Sequence, residues 1–119
     1  MPVPILKQGD YLIASIQSAL TDSEVLELRD DLADRIGRLR SQGIIIDVAA
    51  LDVIDSFVAR SLRNIARTAA LRGAVTVIVG IQPDVAVAMV QFRLNLEPLQ
   101  TALDLEEALA LLDRRTVRA

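Results

Sequence analysis

Hydrophobic residues recur along this chain with two different periods, and the switches between them mark its elements. Val3 to Lys7 and Tyr11 to Ile16 are short β-favouring stretches around Gln8-Gly9-Asp10, a spacing that predicts a hairpin. Pro2 and Pro4 suit its first strand to a sheet edge, where a missing donor does little harm. From Val25 the period changes. Val25, Leu28, Leu32, Ile36 and Leu39 fall on one helical face. Thr21 with Glu24 three residues later reads as a capping box, and Leu20 and Val25 take the staple positions around it. Acids crowd the first half and Arg35, Arg38 and Arg40 the end, in keeping with the helix dipole. Gly43 is the expected terminator.

The remaining chain alternates in the same way. "IIIDV" (44–48) is short, β-branched and continuous, as in a strand buried on both faces. A loop containing Ser56 leads to a helix running to about Arg72, with Val58, Leu62, Ile65 and Ala69 inward and Gly73 at its end. "AVTVIV" (74–79) predicts another buried strand. Gly80 then introduces a helix with Pro83 in its first turn and Asn95 as its stop. A weaker strand at Leu99–Ala102 precedes a last helix, opened by Asp104 and Glu107 as a second capping box. The order β-β-α-β-α-β-α-β-α implies parallel strands joined through right-handed crossovers. The expected fold class is α/β: a mixed, mostly parallel sheet of about five strands with about four helices, an N-terminal hairpin, and residues 1–119 as one domain.

Composition changes this picture mainly by exclusion. The chain has no His and no Cys, which removes the commonest general base and the usual zinc ligands, so a hydrolase triad or zinc centre is not expected. Its formal charge is −3, and the thirteen basic residues are all arginines except Lys7. That balance argues against general nucleic-acid binding. No apolar run approaches the length of a membrane span, and the N-terminus lacks a signal-peptide pattern. A cytoplasmic protein without cofactor or metal is the expectation. "GAVTVIVGIQPD" has neither GxGxxG nor GxxxxGK[ST] spacing, so nucleotide binding has no motif behind it.

Candidate chemistry concentrates after the strand at 44–48. Ligand sites in open α/β sheets lie beyond the carboxyl ends of strands. Asp47, Asp52 and Asp55 stand there, beside Ser56. Three carboxylates could hold Mg²⁺ with a phosphate, as in a small phosphoryl-transfer or nucleotide-dependent protein. Alternatively Asp52 and Asp55 favour the positive start of the next helix, while Asp47 orders the loop through hydrogen bonds. Ser56 reads as the N-cap hydroxyl of that helix and as a site open to a kinase. A phosphate there would add a charge of about −1.5 to −2 that a helix start tolerates. Arg60, Arg63 and Arg67 share one side of the same helix, either as a solvated outer face or as a docking row for an acidic partner.

The run "IIIDVAALDVIDSFVARSLRNIA", with the hairpin before it and "VTVIVGIQPDVAVAMV" after it, resembles the STAS domain. The resemblance covers essentially the whole chain. It implies that Asp55-Ser56 is the family's Asp-Ser pair, with Ser56 the target of a partner kinase and Asp47 the acid near the strand's end. Simple antagonists of anti-sigma factors usually continue Asp-Ser-Ser-Gly, whereas Phe57 and Val58 stand here. "IDSFVARSL" is more similar to the small stressosome scaffolds of the RsbS type. That similarity implies a bare, non-enzymatic subunit that assembles with itself and with RsbR-type scaffolds, which carry an added sensor domain. The assembly would hold an RsbT-type serine kinase until Ser56 is phosphorylated, and a serine phosphatase would reset it. Phe57, Arg60, Arg63 and Arg67 are then candidate docking residues. The alternative within the family is a one-to-one partner of an anti-sigma kinase.

Overall fold

The structure, a computed structural model, describes residues 3–116; Pro2 lies outside the described residues. Nine elements run in order: β1 (Ile5–Gln8), β2 (Tyr11–Ser15), α1 (Asp22–Leu39), β3 (Gly43–Asp47), α2 (Ser56–Leu71), β4 (Val75–Val79), α3 (Pro83–Gln91), β5 (Gln100–Ala102) and α4 (Leu105–Thr116). The strands lie in the order β1-β2-β3-β4-β5, antiparallel between β1 and β2 and parallel elsewhere. This is the α/β architecture expected, hairpin included.

Two apolar layers sandwich the sheet. Leu12, Ala14, Ile44, Ile46 and Ile78 meet α1, α2 and α3 on one face. Ile13, Ile45, Val77 and Val79 meet Ala108 and Leu112 of α4 on the other. Ile44, Ile45 and Ile46 of β3 are all fully buried, which is why that strand tolerates no alternation.

Local chemistry sets most element ends. Thr21 Oγ1 accepts from the Glu24 amide at 3.2 Å and Glu24 Oε1 accepts from the Thr21 amide at 2.9 Å, completing the capping box of α1. The bond from the Thr21 amide first, and then the Thr21 side chain, hold the Glu24 carboxyl below its ordinary value of 4.5. A carboxyl whose pKa is lowered by folding stabilises above the unfolded value and stops doing so as pH falls through the folded one. Comparing urea unfolding of the wild type and Glu24→Gln should therefore give a gap at neutral pH that closes as the buffer is acidified below about 4.5. A pH-independent gap would count against the assignment.

Several boundaries differ from the sequence reading. α1 ends at Arg40, which adopts the left-handed region at φ 52° and whose N–H reaches the Ile36 carbonyl. Gly43 is not its terminator but the first residue of β3. A Cβ there would come within 2.8 Å of Leu112 Cδ2 and 3.1 Å of Tyr11 Cδ1, so the docking of α4 explains the glycine. Leu39, expected on the inner face, is 37% exposed. On α2, Leu62, Ile65 and Ala69 are buried as expected, whereas Val58 is half-buried and Ala59 and Ala66 join the inner face. α3 stops at Gln91 with Phe92 as C-cap, ahead of Asn95, and β1 is Ile5–Gln8, not Val3–Lys7. In the last box Asp104 Oδ1 accepts from the Glu107 amide at 2.9 Å, while Glu107 Oε1 reaches back to the Leu103 amide at 3.4 Å, not to that of Asp104.

One core position is costly. Thr76 is 4% exposed, pairs in register with Ile44, and its hydroxyl has no partner among the described residues. A buried hydroxyl without a hydrogen bond costs about 1 to 3 kcal/mol. Thr76→Val should raise the melting temperature by about 4 °C, read by calorimetry; an unchanged or lower value would show that the hydroxyl is satisfied in solution.

Candidate functional site

The loop from Val48 to Asp55 is held by short-range bonds at both ends. The Val48 amide donates to the Val79 carbonyl at 3.0 Å, so the chain still tracks β4 as it leaves β3. Asp47 Oδ1 then accepts from the Ala49 amide at 2.9 Å and bends it outward. Leu51 and Ile54 turn inward and are buried, leaving Val53 between them 68% exposed. The segment just after β4 closes the loop from the other side. Gln82 Nε2 donates to the Ala49 carbonyl at 2.8 Å and to Asp52 Oδ1 at 3.4 Å. Sequence reasoning missed Gln82, since its partners are some thirty residues away.

Burial of Ile54 fixes the phase of the next helix. Asp55, extended at φ −88° and ψ −177°, is the N-cap of α2, and its Oδ1 accepts from the Val58 amide at 2.9 Å. Ser56 is therefore the first helical residue and not the cap, a correction of one position. Asp and Ser cap equally well, so their adjacency alone does not choose between them. The consequence favours access. The capping acceptor is Asp55, and the Ser56 side chain remains exposed.

Ser56 opens onto a groove of about 610 Å³ between the loop and α3. Asp52, Asp55 and Asp84 supply its polar rim; Val53, Ile54, Val85, Ala88, Phe92 and Leu94 supply its walls. Phe92 is 74% exposed and was not singled out in the sequence. Its signal was weak: one of two phenylalanines at the end of a helix with no basic residue. Phe57 points to the opposite side of the loop. It is half-buried beside a second groove of about 390 Å³ between the starts of α1 and α2, with Val53 and Asp55 shared by both.

The candidate residues are thus only partly brought together. Ser56, Asp55 and Asp52 line one groove, whereas Asp47 is half-buried and engaged with the Ala49 amide. Among the described residues no group of three or more carboxylates is placed to hold a metal ion, which removes the structural basis of the Mg²⁺ reading. Of the arginine row, Arg60 and Arg67 are exposed. Arg63 is half-buried and donates through Nη1 to the Asn95 carbonyl at 3.0 Å, so it ties α2 to the segment after α3. A row of three solvated arginines is therefore not what folds. Among the described residues no basic side chain lines the Ser56 groove.

The sequence profile of the STAS domain matches residues 3–108. A structure of a serine-to-glutamate variant of RsbS from Moorella thermoacetica superposes with a TM-score of 0.79, at 37% identity over 95% of this chain and 96% of the other. A structure from work on the molecular architecture of the stressosome, described as a signal integration and transduction hub, matches at 37% identity and TM-score 0.79 over 97% of this chain and 100% of its own. The RsbT co-antagonist protein RsbRA of Bacillus subtilis is 28% identical over 94 residues, and the chain spans about a third (34%) of its length. Among the described residues no helix is long and apolar enough to cross a membrane.

Proposed function

The chain belongs to the STAS-domain family, and from that premise we propose that it is a phospho-regulated, non-enzymatic scaffold of a cytoplasmic stressosome, its residues 1–119 acting as one STAS domain. It assembles with itself and with RsbR-type STAS proteins, and it holds an RsbT-type serine kinase. Phosphorylation of Ser56 releases that kinase and a serine phosphatase restores the holding state. No cofactor or metal takes part.

The observation that carries this reading is the placement of Ser56. It is exposed at the first position of a sixteen-residue helix whose cap is already provided by Asp55, so a phosphate is added without removing a structural bond. The helix start accepts the new charge. The fold is kept while the groove, rimmed by Asp52, Asp55 and Asp84, becomes much more negative. A kinase that presents nucleotide phosphates to the hydroxyl then meets like charge. The similarity to RsbS over nearly the full chain supports the scaffold role over the one-to-one antagonist role. Phe57, beside the second groove, and the exposed Arg60 and Arg67 of α2 serve as docking residues, with Arg63 holding the segment after α3.

Incubation with an RsbT-type kinase and ATP, followed by mass spectrometry, is the direct test. One phosphate on Ser56, absent from Ser56→Ala, is expected. Phosphate only on other residues would overturn the assignment.

A further inference from the structure

The helix that walls one side of the Ser56 groove begins without a side-chain cap. Gln82 is the N-cap of α3, extended at φ −63° and ψ 147°, and its side chain makes no bond to the helix it opens. Ser, Thr, Asp or Asn in that position would satisfy a free amide of the first turn and stabilise the helix. A position that gives up its local preference is the kind that serves a function instead.

The Gln82 side chain reaches across to the neighbouring loop. Its Nε2 donates to the Ala49 carbonyl at 2.8 Å and to Asp52 Oδ1 at 3.4 Å, thirty-three and thirty residues away along the chain. Gly80, two residues earlier, approaches the same place, since a Cβ on it would lie 2.9 Å from Ala49 Cβ. The turn after β4 therefore holds Ala49 through its carbonyl and packs against its side chain, while Asp47 Oδ1 holds its amide at 2.9 Å. Ala49 and Asp52 are both exposed, so water replaces either Gln82 bond at little cost to the fold. Stability does not explain the tie. Its position does, because Asp52 belongs to the rim of the groove onto which Ser56 opens.

We propose that Gln82 is a positioning residue for the phosphorylation of Ser56. It fixes the path of the loop from Ala49 to Asp55, and the direction of the Asp52 carboxylate, before the kinase arrives. A loop ordered in advance loses less freedom on docking, which lowers the KM of this protein as a substrate. The kcat, set by the kinase's own catalytic groups once the complex has formed, is untouched. The inference rests on the proposed function, whose acceptor is Ser56.

Gln82→Ser separates positioning from stability, because it removes the reach and supplies the missing cap. Its melting temperature should equal or exceed that of the wild type. With an RsbT-type kinase and saturating ATP, its KM should rise about five- to tenfold at unchanged kcat. Gln82→Glu keeps the length of the side chain but sets a carboxylate against Asp52. Its KM should rise further than that of Gln82→Met, and the gap between the two should narrow in 0.5 M salt, at about a third of the physiological screening length. A wild-type KM for Gln82→Ser, a loss confined to kcat, or a rise in KM accompanied by a lower melting temperature would overturn the positioning role. Variants that match a wild type phosphorylated on Ser56 discard the positioning role alone; a wild type never phosphorylated there discards the proposed function and this inference with it.

Discussion

Gly80→Ala is expected to destabilise the protein by about 3 kcal/mol, out of the roughly 5 to 15 kcal/mol that holds such a domain together. Two costs combine. Gly80 sits at φ +82°, a conformation that costs a residue with a Cβ about 1 to 2 kcal/mol. The added Cβ would also lie 2.9 Å from Ala49 Cβ and 3.2 Å from Ala49 Cα, so relief requires backbone movement. That backbone is the loop leading to Ser56. Its Ala49 amide bonds Asp47 Oδ1 and its Ala49 carbonyl accepts from Gln82, so pushing Ala49 disturbs both ties at once. The urea midpoint should fall by about 1 to 2 M, and hydrogen exchange should quicken first at the amides of Ala49 and Leu51. A midpoint within error of the wild type would mean the turn has room that the geometry does not show.

The second large effect is on partner binding. Ser56→Ala should bind an RsbT-type kinase as the wild type does, while Ser56→Asp should bind at least about tenfold more weakly, a difference of about 1.4 kcal/mol. That difference is modest in charge terms. Two like charges 4 Å apart repel by about 1 kcal/mol even in water, and more in a partly covered groove. Asp52, Asp55 and Asp84 already line that groove, so each added charge meets three others as well as the partner's nucleotide phosphates. Titration calorimetry with nucleotide present reads the result directly. Equal affinities for the two variants would remove electrostatic release as the mechanism. Both variants should keep the wild-type melting temperature to within a degree or so, because Asp55 and not Ser56 caps the helix.

The two experiments probe different layers of the same design. Gly80 acts through the backbone that positions the loop, whereas Ser56 acts through what the loop presents. A protein whose fold survives a change of charge at Ser56 but not a methyl group at Gly80 would have its switch on the surface and its tolerance limit beneath it.

What the sequence by itself determined was local. The capping box at Thr21 and Glu24, the stripe from Val25 to Ile36, and the unbroken "III" of β3 each state their element through spacing over a few residues, and the order of elements then implies a mixed, mostly parallel sheet, whose strand order only the structure gives. The Asp55-Ser56 pair was visible for the same reason, but its phase was not: capping propensity is equal for the two, and burial of Ile54 against the helix layer chose Asp55. The rest was decided only in three dimensions. Gly43 reads as a helix stop until Leu112, some seventy residues later, is found against it. Arg63 reads as solvated until Asn95 is found beside it. The Ser56 groove joins residues 52–56 to residues 84–94 because the parallel strands β3 and β4 bring the segments that follow them to the same end of the sheet. Periodicity is set by neighbours along the chain, while a groove is set by crossovers that no short window of sequence contains.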